Sequence, residues 1–278
     1  MIRLYRTSTG VTAVRGSQAY HSSSFSFDDL FRQSDPRAWL ENMLGAGQPA
    51  APDDSLADGP LLAPVESQEI WAAGVTYTRS REARMEESEK SGGASFYDKV
   101  YEAPRPELFF KATAARARGH KAEVCIRSDS FWDVPEPELT LAINAEGNVF
   151  GYTVGNDMSS RDIEGQNPLY LPQAKVYRGS CALGPALCIA DPPAPETSIS
   201  LEIERDREIA FLESTAIGRL KRTFDELADW LFRENEFPAG AYLMTGTGIV
   251  PPAGFSLMSG DIVRITCGDF GTLENSVE

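Results

Sequence analysis

The sequence predicts an α+β chain, mostly β, on three observations. Apolar residues alternate at period two in several short runs, stretches with helical period are few, and neither an internal repeat nor a P-loop is present. Strands with so few helices between them favour a β-rich roll or sandwich over a doubly wound α/β sheet. A small N-terminal α+β domain with its linker, residues 1–62, is expected before a larger β domain at residues 63–278.

After a short strand-like start, Asp35-Pro36 opens a helix, with Asp as N-cap and Pro at N1, and Trp39, Leu40, Met43 and Leu44 supply its apolar stripe. Residues 45–60 are rich in Gly, Pro, Ala and Asp and read as a linker. Residues 70–77 read as a buried strand and 78–90 as a charged helix with a Glu86/Lys90 pair, its charges read as a solvated face. The flexible run 91–95 breaks that helix, which makes 78–98 a candidate lid over a ligand. Residues 187–190 and 198–204 read as strands. Residues 223–235 form the clearest helix, with Thr223 and Glu226 as a capping box and Phe224, Leu227, Trp230 and Leu231 as its apolar face. Pro238 and Gly240 end it, and residues 242–277 return to β-type sequence.

Composition excludes several functions. A net charge of −15 with no basic run argues against a nucleic-acid partner and against an anionic membrane surface. No segment has the length and apolarity of a signal peptide or a membrane span. Cys125, Cys181, Cys188 and Cys267 have neither CxxC spacing nor a dense framework, so reduced thiols in a soluble cytoplasmic protein are expected.

Three carboxylates carry the chemistry. From Glu138 to Asn144 the residues Leu139, Leu141 and Ile143 alternate with Thr140 and Ala142, so Glu136 and Glu138 share one strand face. Asn144 to Asn148 signals a turn, and 149–154 is β-rich again. A two-residue Glu146-Gly147 loop would set Glu138 opposite Gly155 and Glu136 opposite Asp157. Like charges facing each other across strands destabilise the pair, so the cluster needs a cation, a proton or water. An all-oxygen set selects a hard cation, Mg²⁺ first with Mn²⁺ and Ca²⁺ in the same class, and disfavours zinc. Spacing alone leaves a solvated acidic edge as the other reading.

The runs EPELTLAIN, GYTVGNDMSSRD, LPQAKVYRGSCALGP, LMTGTGIV and SGDIVRITCGDFGTLENSV resemble, in order, the motifs of the fumarylacetoacetate hydrolase superfamily over residues 65–278. VTYTRSREAR, YEAPRPELFFK, VPEPELTL and DIEGQNPLYLPQAKVY resemble the branch of 2-keto-3-deoxy-D-arabinonate and 2-keto-3-deoxy-D-xylonate dehydratases. The resemblance implies a mixed β-roll, Mg²⁺ held by Glu136, Glu138 and Asp157, an active-site Lys175, and Thr247 meeting the substrate carboxylate, with Gly246 letting backbone come close. It also implies a small-molecule 2-keto acid as substrate and a homodimer or homotetramer as assembly. Hydrolases of the superfamily carry a water-activating His shortly after the first strand of this domain. Residues 77–87 contain none here, and neither His21 nor His120 matches that motif. Glu164 is a second departure, at a position where several relatives carry Gln or an apolar residue.

Dehydration fits those departures, because loss of the C4 hydroxyl of a 2-keto-3-deoxypentonate leads to 2,5-dioxopentanoate without a nucleophilic water. An acylpyruvate-type hydrolase, or an isomerase or decarboxylase of unsaturated 2-keto acids, is the alternative on the same metal. Lys175, Glu164 and Glu107 are the candidates for moving protons, since a lysine beside a dication gives up its proton more readily and a carboxyl near the ion can protonate a departing hydroxyl. Arg79 and Arg81 are candidates for the distal end of the substrate. Gln173 and Tyr170 are candidates for its hydroxyls, Arg161 for bracing the Asp157 turn, and Cys181 for a buried inert thiol.

Overall fold

The computed structural model describes residues 1–51, 56–88 and 94–278. Strands β1 (Ile2–Thr7), β2 (Gly10–Arg15) and β3 (Gln18–Ser22) form an antiparallel meander. Helix α1 (Phe27–Phe31) is capped by Ser26, and α2 (Pro36–Ala46) by Asp35, which accepts from the Ala38 amide at 2.9 Å as the Asp-Pro signal predicts. Next come β4 (Glu69–Gly74), α3 (Thr78–Ser88), α4 (Ala94–Glu102), β5 (Glu107–Ala112), β6 (Ala117–Arg118) and β7 (Asp133–Val134). The hairpin β8 (Pro137–Ile143) and β9 (Val149–Asp157) leads through β10 (Ser159–Ser160), α5 (Arg161–Gln166) and α6 (Leu171–Lys175) to the long β11 (Cys181–Ile189). The chain ends with β12 (Ser198–Arg205), β13 (Glu208–Ala216), α7 (Phe224–Phe232), β14 (Ala241–Met244), β15 (Ile262–Cys267) and β16 (Thr272–Ser276).

A ten-stranded sheet runs in the order β3-β2-β1-β11-β9-β8-β14-β4-β5, with β6 added on β11. It is mixed, because β14 pairs with β4, and β6 with β11, in parallel. A four-stranded sheet, β13-β12-β15-β16, and the short pair β10-β7 complete the β structure. One core joins Leu139, Leu141 and Ile143 of β8 to Leu201, Val263 and Ile265 of the smaller sheet and to Leu227 and Leu231 of α7. The other joins Ala142, Ile70 and Leu183 to Phe27, Phe31, Leu40 and Leu44 of α1 and α2. The large sheet is therefore covered on both faces. β8 is buried on both sides, whereas its alternation had pointed to a half-buried strand.

β1 pairs with β11, so the large sheet crosses the division expected at residue 62. The strand expected at 187–190 is the end of a nine-residue β11. β13 gives no sequence signal, because most of its residues are exposed and do not alternate. The 223–235 helix ends at Phe232. Thr223 accepts from the Glu226 amide at 3.1 Å, while the Glu226 carboxylate turns to Arg222 at 2.6 Å.

Part of the lid expectation, residues 89–93, lies outside the described residues, as does the Glu86/Lys90 side-chain pair; α3 and α4 flank that stretch. The charge run before it is only half solvated. Ser80, Ala83 and Arg84 are buried, because they lie at i, i+3 and i+4 along one side of α3, and Tyr77 just before the helix is buried with them.

The hairpin keeps the expected register by another route. Glu138 faces Gly155 and Pro137 faces Asn156, and the Asp157 amide donates to the Glu136 carbonyl at 3.0 Å. The Asn144 amide pairs with the Asn148 carbonyl around a three-residue loop containing Gly147 at φ +88°, and a bulge between Ala142 and Ile143 restores the offset.

Candidate metal and active site

The hairpin end brings the three predicted ligands together. Carboxylate oxygens of Glu136, Glu138 and Asp157 lie within 4.8 Å of one another, and all three residues are buried. Each is held differently. Lys175, the last residue of α6, donates to Glu136 Oε2 at 2.6 Å, to Asp157 Oδ2 at 2.9 Å and to Ser159 Oγ at 2.6 Å. Lys111 of β5 is ion-paired with Asp157 and donates to the Met158 and Lys175 carbonyls at 2.9 and 2.6 Å. Arg161 Nη2 donates to Glu136 Oε1 at 2.6 Å and so braces that carboxylate. Glu138 Oε2 accepts from the Gly246 amide at 2.6 Å.

These surroundings split the titration of the ligands. Burial pushes the Glu136 carboxyl up, but Lys175, Arg161 and Arg84 outweigh it and hold the group well below the usual carboxylate range. Burial pushes the Glu138 carboxyl well above that range, and the negative charges of Asp157 and Glu136 push it the same way. The cluster thus leaves one carboxyl short of positive charge. An all-oxygen donor set with such a deficit fits a hard divalent cation.

The proton-transfer candidates are close by. Glu107 faces Gly74 across β4 and β5, and a Cβ at Gly74 would collide with Glu107 Oε2, so glycine lets the side chain cross the strand. Glu107 Oε2 is shut off from solvent and has no hydrogen-bond partner among the described residues. Burial raises its pKa, against the fields of Arg84 and Lys175. Glu164 is buried on α5 and ion-paired with Arg84 of α3, whose Nη2 also stands 3.8 Å from Glu136 Oε1.

The other candidates are placed as follows. Gly246 has φ +93° and a Cβ there would collide with Thr76 Oγ1, so this close approach requires glycine. The buried Thr247 hydroxyl donates to the Ile249 carbonyl at 3.1 Å and accepts from the Ile249 amide at 3.2 Å. Arg81 faces α4, 3.8 Å from Asp98, 3.9 Å from Glu102 and 4.8 Å above the Tyr101 ring. Arg79 is half-buried on α3, and Gln173 and Tyr170 are exposed. Cys181 is buried, and burial pushes its thiol up to about 12. All four cysteines are free.

Lys111 and Arg84 are the site residues that sequence reasoning missed as such. Lys111 follows the apolar LFF run on a strand, which in hindsight marks a lysine inside the protein. Arg84 was hidden in a charge run.

Residues 69–278 match the family described as Fumarylacetoacetate (FAA) hydrolase C-terminal. The chain belongs to the fumarylacetoacetate hydrolase family. Within it, the chain is 47% identical over 229 residues to a probable 2-keto-3-deoxyxylonate dehydratase of Haloferax volcanii, covering 81% of this chain and 77% of that protein. It is 42% identical over 221 residues to the 2-dehydro-3-deoxy-D-arabinonate dehydratase of Saccharolobus solfataricus, covering 78% and 74%. The solved structure of 2-keto-3-deoxy-D-arabinonate dehydratase complexed with magnesium and 2,5-dioxopentanoate matches with a TM-score of 0.84 at 32% identity, over 100% of this chain and 98% of that one. In this member of the fumarylacetoacetate hydrolase family the two histidines are engaged elsewhere: His21 meets Thr12 at 3.1 Å, and His120 accepts from the Glu274 amide at 3.1 Å.

Proposed function

We propose that the protein is a Mg²⁺-dependent hydro-lyase that converts a 2-keto-3-deoxypentonate, of the arabinonate or xylonate type, to 2,5-dioxopentanoate. The observation that carries this reading is the buried carboxylate triad without a neighbouring histidine, in a chain 47% and 42% identical to two proteins named for such dehydrations.

Glu136, Glu138 and Asp157 would hold the ion, which when bound supplies positive charge for the negative charge developing on the keto oxygen as C3 loses its proton. Lys175, Arg161 and Lys111 fix two of these carboxylates from outside, and the Gly246 amide fixes the third. Lys175 is assigned the C3 proton, because its Nζ lies beside the ligands Glu136 and Asp157, where the positive charge of a bound ion would favour its neutral, proton-accepting form. Glu107 is assigned the proton given to the departing C4 hydroxyl, because its raised pKa keeps the acid form available and its Oε2 is free to donate. Glu164 serves by holding Arg84. Gly246 and Thr247 would flank the carboxylate end of the substrate.

Loss of water across C3 and C4 leaves an alkene beside the C5 hydroxyl, and moving the double bond to C4–C5 gives an enol that becomes the C5 aldehyde. No step calls for water as a nucleophile, which suits a site without a histidine base. Among the described residues no helix is long and apolar enough to cross a membrane. Four buried free thiols support a reducing, cytoplasmic setting, and a homodimer or homotetramer is proposed as the assembly.

The test is incubation of the purified protein with Mg²⁺ and a panel of 2-keto-3-deoxy sugar acids and acylpyruvates, with products followed by NMR. Formation of 2,5-dioxopentanoate from a 2-keto-3-deoxypentonate supports the reading. Pyruvate and a free acid from an acylpyruvate, with no dehydration, overturns it.

A further inference from the structure

The helix that follows the first strand of the catalytic domain sends one cation into the carboxylate cluster. Ser80, Ala83 and Arg84 lie on the buried side of α3, and the Arg84 guanidinium meets Glu164 and stands 3.8 Å from Glu136 Oε1. Arg84 is 4% exposed and Glu164 1%. A guanidinium stays protonated and only donates, so it neither activates water nor removes a proton from carbon. A carboxylate only accepts. The pair therefore presents donors and acceptors side by side, the set that a vicinal diol needs, since each hydroxyl both gives and takes a hydrogen bond.

The position of the pair gives it a direction. The Gly246 amide closes the Glu138 end of the cluster, and Lys111 and Lys175 fill the Asp157 side. On the Glu136 side Lys175 and Arg161 each reach the carboxylate at 2.6 Å, and beyond them α3 and α5 set Arg84 against Glu164, with Arg84 Nη2 3.8 Å from Glu136 Oε1. We propose that Arg84, held in place by Glu164, determines specificity by receiving the hydroxylated C4–C5 end of the substrate. The inference rests on the dehydratase reading above. A 2-keto acid with its C1 and C2 oxygens turned toward an ion held by the triad would have its C4 and C5 hydroxyls away from that ion, and this pair beside Glu136 is placed to receive them. Arg81, three residues earlier on the same helix, is spent on α4.

The experiment compares two reactions of the full-length Mg²⁺ enzyme. One is dehydration of the 2-keto-3-deoxypentonate, read as kcat and KM. The other is exchange of C3 hydrogen for deuterium in 2-oxobutanoate, a 2-keto acid without hydroxyls. Arg84→Lys and Glu164→Gln should raise KM for the pentonate at least tenfold more than they slow the exchange, with Arg84→Lys the more severe. Equal losses in both reactions, or no loss in either, overturns the proposal. Removing one partner leaves a buried charge that can unfold the chain, so the double variant Arg84→Met/Glu164→Leu, which removes both charges, is measured alongside. It should bind Mg²⁺ in calorimetry and show the same selective loss; proportional losses in it also overturn the proposal. A wild-type enzyme that makes no 2,5-dioxopentanoate from any pentonate sinks the dehydratase reading itself, whereas wild-type turnover with proportional losses in the variants sinks only the role of Arg84.

Discussion

The amide of Gly246 donates to Glu138 Oε2 at 2.6 Å, from a backbone held at φ +93°. Alanine there would be strained, and its Cβ would also lie 2.8 Å from the Ala73 carbonyl oxygen. Gly246→Ala should cost about 1–3 kcal/mol of stability and weaken Mg²⁺ at least tenfold in calorimetry. Unchanged Mg²⁺ affinity would show that this amide does not position the ligand.

Lys175→Met removes the ammonium that Glu136 and Asp157 share. In the ion-free protein the loss should be about 3–5 kcal/mol, because two buried carboxylates lose a common partner. Saturating Mg²⁺ should recover part of it. Denaturant midpoints with and without Mg²⁺ measure this, and an equal loss in both conditions argues that lysine and ion do not share those carboxylates.

Glu107→Gln keeps the shape of the side chain and removes its acid. The expected result is a fall in kcat of about 10²–10⁴ with Mg²⁺ affinity within about twofold of wild type, which steady-state kinetics and calorimetry read separately. Because the carboxyl is raised by burial, wild-type kcat should decline on the alkaline side, as Glu107 loses its proton. Full turnover in the variant would assign the proton to another group.

Asp133 gives a pH-dependence of stability independent of the ligands. Burial raises its carboxyl to about 6 from the ordinary 3.8, against hydrogen bonds from Ser130 and the Arg127 backbone. Below about pH 4 folded and unfolded chains both hold this proton, and between that pH and about 6 only the folded chain does. Stability should therefore fall as pH rises through that window and stay lower above it. Asp133→Asn should remove the fall, worth about 1–2 kcal/mol once solvent screening is allowed for, in denaturant midpoints at pH 4 and pH 8. Parallel curves for the two proteins would contradict it.

The ligands were legible because alternation fixes which side chains share a strand face: Glu136, Glu138 and Asp157 follow from period two and one register. The capped starts of α2 and α7 were legible because a cap is local chemistry. Arg84 was not, since a buried charge and a solvated one look alike in TRSREARMEES until the opposing Glu164 is placed. Lys111 hid for the same reason, as its partner Asp157 is far along the chain. Pairing of β1 with β11 joins residues nearly two hundred positions apart, and no local pattern specifies it.

The hairpin between the ligands has a three-residue loop and a one-residue bulge whose effects on strand offset cancel. Loop length and bulge are therefore linked characters during evolution. Deleting one loop residue while keeping the bulge would slide β9 by one position and turn Asp157 toward the opposite core. Insertions and deletions at this turn should survive in descendants only as compensated pairs, even though the turn lies at the far end of the strands from the ligands.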